Sequence, residues 1–288
     1  MIYAILALIC IVNGVFVVAF IRDIIKHKQE LKEEPGNPIV MAFSQLIIYF
    51  LSTFGISDFA IGASLYPKAK WVDTKRLPGT LNTACVVPVA AMALAYIKSI
   101  EVGIWTLIIP IVAQVLGSFL SPRFVVKLPA RKIKLLVTIG LMVAGAIILM
   151  QLVNVFPSGG TATSLSGWKL ALLGVLSFIY GAFNNMGIGS YPLTMATIFA
   201  LGLEPSAAFP IMMGACTFSV PIGSLEFVRL KSYSRKITLF SATTGVIGVL
   251  IAVFIVKSLN VTVLKWVVLV VIVYSAISMA MSMRTKEA

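Results

Sequence analysis

Charge is scarce in this chain. Only 11% of its 288 residues are Asp, Glu, Lys or Arg, and 59% are hydrophobic; a soluble domain carries roughly 25% charged residues. Too little polar surface remains to cover a water-soluble globule. No polar interval is long enough to fold as a separate soluble domain, the longest lying near 22–37, 67–79, 121–134 and 157–168. Histidine occurs once and acidic residues ten times. There is no His-Glu-x-x-His, no Gly-x-x-x-x-Gly-Lys, no Cys/His cluster and no Gly-x-Ser-x-Gly. The motifs of a metalloprotease, an ATP-driven pump or a serine hydrolase are therefore missing, and the residues suggest no enzyme, metal or cofactor. Cys10, Cys85 and Cys216 fall in apolar segments, and an odd count gives no disulfide framework. They are expected to pack as small hydrophobes.

Apolar sequence is what the chain has in abundance. Mean hydropathy is +1.03, and apolar runs recur from Ile2 to Met283, each of about 20 residues and long enough to cross a ~30 Å hydrocarbon core. The formal charge of +13 sits between these runs, not along a face interleaved with aromatics, which argues against nucleic acid. The positive-inside rule accounts for it better. Met1 to Phe20 lacks a charged start and a small-x-small cleavage site, and its basic residues (Arg22, Lys26, Lys28) follow the apolar run. A retained first helix that starts outside is expected.

Full or broken membrane segments are expected at about 2–21, 37–57, 58–72, 80–97, 103–120, 133–156, 168–186, 189–203, 206–225, 237–256 and 262–283. The short ones, 58–72 and 189–203, decide the topology. If both cross, or both enter and return, only Lys98, Lys169, Lys257 and Lys265 of the 23 basic residues fall outside the cytoplasmic intervals. Residues 37–156 and 168–283 then each hold five segments in the same order, starting from opposite sides. The expected fold is an all-α integral membrane protein with an inverted-topology repeat. It consists of an extra N-terminal helix and linker (1–35), repeat 1 (36–156) and repeat 2 (157–288). Ile61-Gly62 echoes Ile188-Gly189, and Ala84-Cys85 echoes Ala215-Cys216.

Two breaks carry the candidate site. The first reads Phe54-Gly55-Ile56-Ser57-Asp58-Phe59-Ala60-Ile61-Gly62, the second Phe183-Asn184-Asn185-Met186-Gly187-Ile188-Gly189-Ser190-Tyr191-Pro192. Non-helical backbone at membrane depth needs protein or a polar cavity around it, and paired breaks in corresponding segments point to a transporter's substrate site. Helices that start there aim unpaired N–H groups and positive dipole ends inward, which favours an anion. Asn184, Asn185, Ser190 and Tyr191 offer neutral hydrogen-bonding groups, and Gly62, Gly187 and Gly189 allow close backbone approach. Thr80 and Asn82 add polar groups after the first break. Helix packing by the glycines and capping by the asparagines is the alternative. Asp58 is an intramembrane acid, suited to proton or cation coupling or, equally, to capping the helix after Ser57. Glu226 is expected to pair with Arg229 at an interface, and His27 to be solvated.

Tyr191-Pro192-Leu193-Thr194-Met195 through Ala207-Ala208-Phe209-Pro210-Ile211-Met212-Met213-Gly214, with Pro78-Gly79-Thr80-Leu81 in the first half, resembles the sulfite exporter TauE/SafE family. The resemblance implies a multi-pass carrier of the bacterial inner membrane for sulfite or organosulfonates. The resulting expectation is a secondary transporter of a small sulfur-containing anion, working by alternating access. Its partners are the anion, the bilayer and a coupling proton or sodium ion; a homodimer is compatible with it. The N-terminus is expected outside and the C-terminus in the cytoplasm. An anion channel, a carrier for small carboxylates and a membrane scaffold with degenerate breaks are the rivals.

Overall fold

Polar residues and prolines punctuate the apolar sequence and set where its helices begin. Asn37 accepts hydrogen bonds from the N–H groups of Ile39 (2.9 Å) and Val40 (3.4 Å), with Pro38 in the first turn. This side-chain cap satisfies N–H groups that the helix itself leaves unpaired. The computed structural model describes residues 2–255 except 55, 100–101, 126, 154, 156–159 and 205–206, together with 266, 269, 273 and 277. The expected segment at 262–283 otherwise lies outside the described residues.

The helices are α1 (Ile2–Lys26), α2 (Lys28–Glu33), α3 (Pro38–Ser52), α4 (Asp58–Lys68), α5 (Leu77–Ser99), α6 (Ile104–Leu120) and α7 (Pro122–Val125). They continue with α8 (Ala130–Leu152), α9 (Gly167–Asn185), α10 (Tyr191–Ala200), α11 (Ala208–Arg229) and α12 (Arg235–Phe240). A π turn (Ser241–Gly245) then leads into α13 (Val246–Ile255). No strand occurs among the described residues; Ala162 and Leu203 form an isolated bridge. Among the described residues, five helical stretches are long and apolar enough to cross a membrane: Tyr3–Lys26, Leu77–Tyr96, Ile104–Phe124, Ala208–Arg229 and Arg235–Phe254. The chain is an all-α, multi-pass membrane protein.

Helices α5 and α11 form the centre. Each is 83% buried over its apolar window, against 22% for α1. They pack on one another, with α6 against α9 and α11, α3 against the π turn and α13, and α1 across α5 and α11. Where helices approach most closely, the residue is glycine. A Cβ on Gly117 of α6 would lie 2.0 Å from the Phe178 carbonyl oxygen of α9, and one on Gly181 of α9 would lie 2.1 Å from that of Gln114. Gly248 of α13 faces the Leu46 carbonyl of α3 in the same way, at 2.1 Å. Small residues permit this backbone contact, and packing then replaces the hydrophobic drive that lipid cannot supply.

Proline shapes the central helices and docks the peripheral one. Pro221 inside α11 has no N–H to give to the Thr217 carbonyl four residues earlier. The amide of Asn13 on α1 donates to that carbonyl instead, at 3.0 Å.

The polar linker near 22–37 is more ordered than expected of a solvated stretch. Helix α1 continues to Lys26, and His27 stacks its Nδ1 against Asp23 four residues back, 2.9 Å from the carbonyl oxygen and 3.0 Å from Oδ1. His27 is thus partnered and largely buried, not solvated, because the longer helix brings Asp23 beneath it. The same Asp23 meets Arg235, which is 1% exposed: Nε lies 2.7 Å from Asp23 Oδ2, and Nη1 lies 2.9 Å from Glu30 Oε2. Glu34 accepts from the backbone N–H groups of Arg235 (3.0 Å) and Lys236 (2.8 Å), so its carboxylate sits on the positive end of α12. Glu226 pairs with Arg229 as expected and also with Arg123, both at 3.6 Å.

Candidate functional site

Each break is built by a short local device. At the first, α3 ends at Ser52 and α4 restarts at Asp58, with Ser57 as its cap: the Ala60 N–H donates to Ser57 Oγ at 3.3 Å. At the second, α9 is stopped by Gly187, whose φ of +86° only glycine adopts readily. The Gly187 N–H donates to the Asn184 carbonyl and the Ile188 N–H to the Phe183 carbonyl, both at 3.0 Å. This paired pattern satisfies carbonyls that a helix end leaves free. The chain then reverses through the Ser190 N–H, which donates to Asn184 Oδ1 at 2.9 Å, and α10 begins.

The two breaks meet. A Cβ on Gly189 would lie 2.4 Å from Ser57 Oγ and 2.9 Å from Phe59 Cβ, so glycine is what allows the contact. Beside it is a cavity of about 10 Å³, room for the centre of about one water molecule. Ser57, Asp58 and Phe59 line it from the first break, and Asn184, Gly189, Ser190 and Tyr191 from the second. Cys85 and Val89 of α5 and Cys216 and Val220 of α11 complete the wall. The first residues of α4 and α10 therefore face the same space, and two helix N-termini converge on it.

Three features set its chemistry. Asp58 is 5% exposed; Ser52 Oγ donates to its carboxylate at 3.3 Å, and the backbone N–H groups of Asp58 and Phe59 at the start of α4 also face it. Tyr191 is 4% exposed, and its hydroxyl has no hydrogen-bond partner among the described residues. Cys216 Sγ is a meeting point: Gln114 Nε2 approaches to 3.2 Å, Ser190 Oγ to 3.2 Å and Asn184 Nδ2 to 3.8 Å. No fixed positive side chain is among the lining residues.

Of the residues expected from sequence, Asp58, Asn184, Gly189, Ser190 and Tyr191 come together here. The others stand outside the lining. Asn185 turns its amide onto α6, donating to the Ser118 carbonyl (2.7 Å) and Ser121 Oγ (2.7 Å). Gly187 ends α9. Gly62 packs beneath Leu81 and Tyr66. Thr80 accepts from the Ser234 N–H at 2.9 Å, helping to start α12. Asn82 donates to the Asn184 carbonyl at 2.8 Å and so steadies the second break from behind. The sequence expectation omits Cys85, Cys216 and Gln114. A lone Gln in the apolar run 104–120 is the signal that could have drawn attention to the last. No family model, curated protein or solved structure matches this chain.

Proposed function

We propose that this protein is a secondary carrier of a small anion, of the sulfur oxyanion or organosulfonate class, loading its substrate in the cavity between the two breaks. The observation that carries the reading is the convergence of both interrupted segments on one buried, hydrogen-bonding space. Two helix N-termini favour negative charge there, and Asn184, Ser190 and the unpartnered Tyr191 hydroxyl supply polar contacts.

The inverted repeat belongs to the same proposal. Ser57 and Ser190 are separated along the chain by the same interval as Asp58 and Tyr191, and Cys85 and Cys216 by the same interval as Val89 and Val220. The cavity is thus walled by matched positions from the two halves. Helix α3 packs on α13 as α9 packs on α6, each pair through a glycine against a backbone carbonyl. Two such halves rocking about a shared site are the usual basis of alternating access. The sulfur assignment and placement in a bacterial inner membrane rest on the resemblance of Tyr191–Met195 and Ala207–Gly214 to the TauE/SafE family; the outside N-terminus rests on Arg22, Lys26 and Lys28, which follow the first apolar run.

A water-sized cavity must widen to admit such an anion, which suits a carrier better than an open channel. The test is counterflow in proteoliposomes with sulfite, isethionate, sulfoacetate, acetate and phosphate, paired with ligand-dependent melting of the purified protein. Saturable exchange of the sulfur anions is expected. Exchange of acetate alone would discard the sulfur class, and large currents without counterflow would replace the carrier with a channel.

A further inference from the structure

Sulfur is a weak hydrogen-bond acceptor, yet two side-chain amide N–H donors and a serine hydroxyl meet at one sulfur on the cavity wall. Gln114 Nε2 and Ser190 Oγ each stand 3.2 Å from Cys216 Sγ, and Asn184 Nδ2 stands 3.8 Å away. Cys216 is 3% exposed. Beside it, Tyr191 lines the same cavity, and its buried hydroxyl, near Ser52, closes no hydrogen bond among the described residues. Amide donors held on a poor acceptor, next to an unsatisfied hydroxyl, gain when a better acceptor arrives, because buried polar groups lose most when left poorly paired.

We propose that Cys216 is a specificity-determining placeholder: its sulfur stands in the closed cavity where a ligand oxygen binds, and its displacement turns Gln114, Ser190 and Asn184 onto the anion. This rests on the carrier reading and deepens it. Two amide N–H groups and a serine hydroxyl, which can rotate to donate, match the three oxygens of a sulfite or sulfonate head, whereas a carboxylate presents two. The thiol thereby tunes both affinity and selectivity: it is polar enough to occupy the donors when the cavity is closed, and weak enough to yield them.

The experiment measures binding of methanesulfonate and acetate, a pair differing in the anionic head, to the purified full-length protein by ligand-dependent melting. In the wild type, methanesulfonate is expected to bind at least about fivefold more tightly, the value of roughly one net hydrogen bond. Cys216→Ala removes the competitor and should tighten methanesulfonate binding about fivefold, while Cys216→Ser installs a stronger acceptor and should weaken it about fivefold. A residue that merely packs would not move affinity in opposite directions. Shifts in one direction, or none, overturn the placeholder role and leave the carrier standing. If either variant fails to fold, Ser190→Ala removes the hydroxyl from the three groups; it should erase the preference for methanesulfonate, and an unchanged preference overturns the proposal. Wild-type protein that binds acetate but not methanesulfonate also overturns it. A wild type that neither binds nor exchanges any of these anions brings down the carrier reading and this one together.

Discussion

A carboxylic acid in the first turn of α4, nearly buried and met by a serine hydroxyl and the helix's first N–H groups, shares its cavity with the site assigned to an anion. Two negative charges in so dry a space repel strongly, so substrate should enter with a proton on Asp58. Wild-type uptake is expected to rise as external pH falls. Asp58→Asn should transport with a flat pH profile, measured in proteoliposomes under imposed gradients; an unchanged slope would remove Asp58 from coupling. Asp58 could be singled out from sequence because acids are rare at membrane depth. Other residues could not be sorted that way. Asn184 and Asn185 are adjacent, but a helix turns about 100° per residue, which directs one to the cavity and the other to α6. Gln114 and Cys216 are 102 positions apart, and only the packing of α6 on α11 brings them together.

Helix elements here are separated by breaks and held by bare backbone contacts. Replacing Gly189 with Val forces a side chain into Ser57 and Phe59; overpacking of this kind costs about 1–3 kcal/mol. Uptake should be lost while far-ultraviolet circular dichroism remains helical, and wild-type flux would refute the close meeting of the breaks. Gly117→Ala, aimed at the Phe178 carbonyl 2.0 Å away, should lower stability by a similar amount, about 1–3 kcal/mol. Gly14→Ala, with nothing within 4 Å, should not lower the melting temperature, since Ala favours a helix over Gly. Equal effects would contradict the α6–α9 contact. These elements were largely readable from sequence, because Gly, Pro and Ser mark both breaks and apolar runs mark the helices between them. The π turn at Ser241–Gly245 was not. Gly245 there faces the Tyr49 ring of α3, and Ser241 donates to Gln45 of α3 at 2.9 Å, both tertiary contacts without a local signature.

At the scale of the whole molecule, Arg235 fastens the first helix and its linker to the start of α12. Sequence charge counting treats it as one more basic residue beside the membrane, because the acids that neutralise it lie some 200 positions earlier. Arg235→Gln removes the cation from Asp23, which keeps Tyr233 and His27 as partners, and should cost about 1.5–3 kcal/mol. Glu30→Gln, at a side chain 52% exposed, should cost under about 1 kcal/mol. Thermal melting in detergent compares the two, and equal losses would argue against a buried clamp. The bond from Asn13 to the Thr217 carbonyl spans 204 positions and bears on biogenesis. At about 5–20 residues per second of synthesis, roughly 10–40 s separate the emergence of its two ends from the ribosome. During that interval the Asn13 amide still has the Ile9 carbonyl, 2.8 Å away on its own helix, to which it also donates in the folded protein. Helix α1 can therefore rest on α5 early, yet it closes its bond to α11 only once that helix has followed.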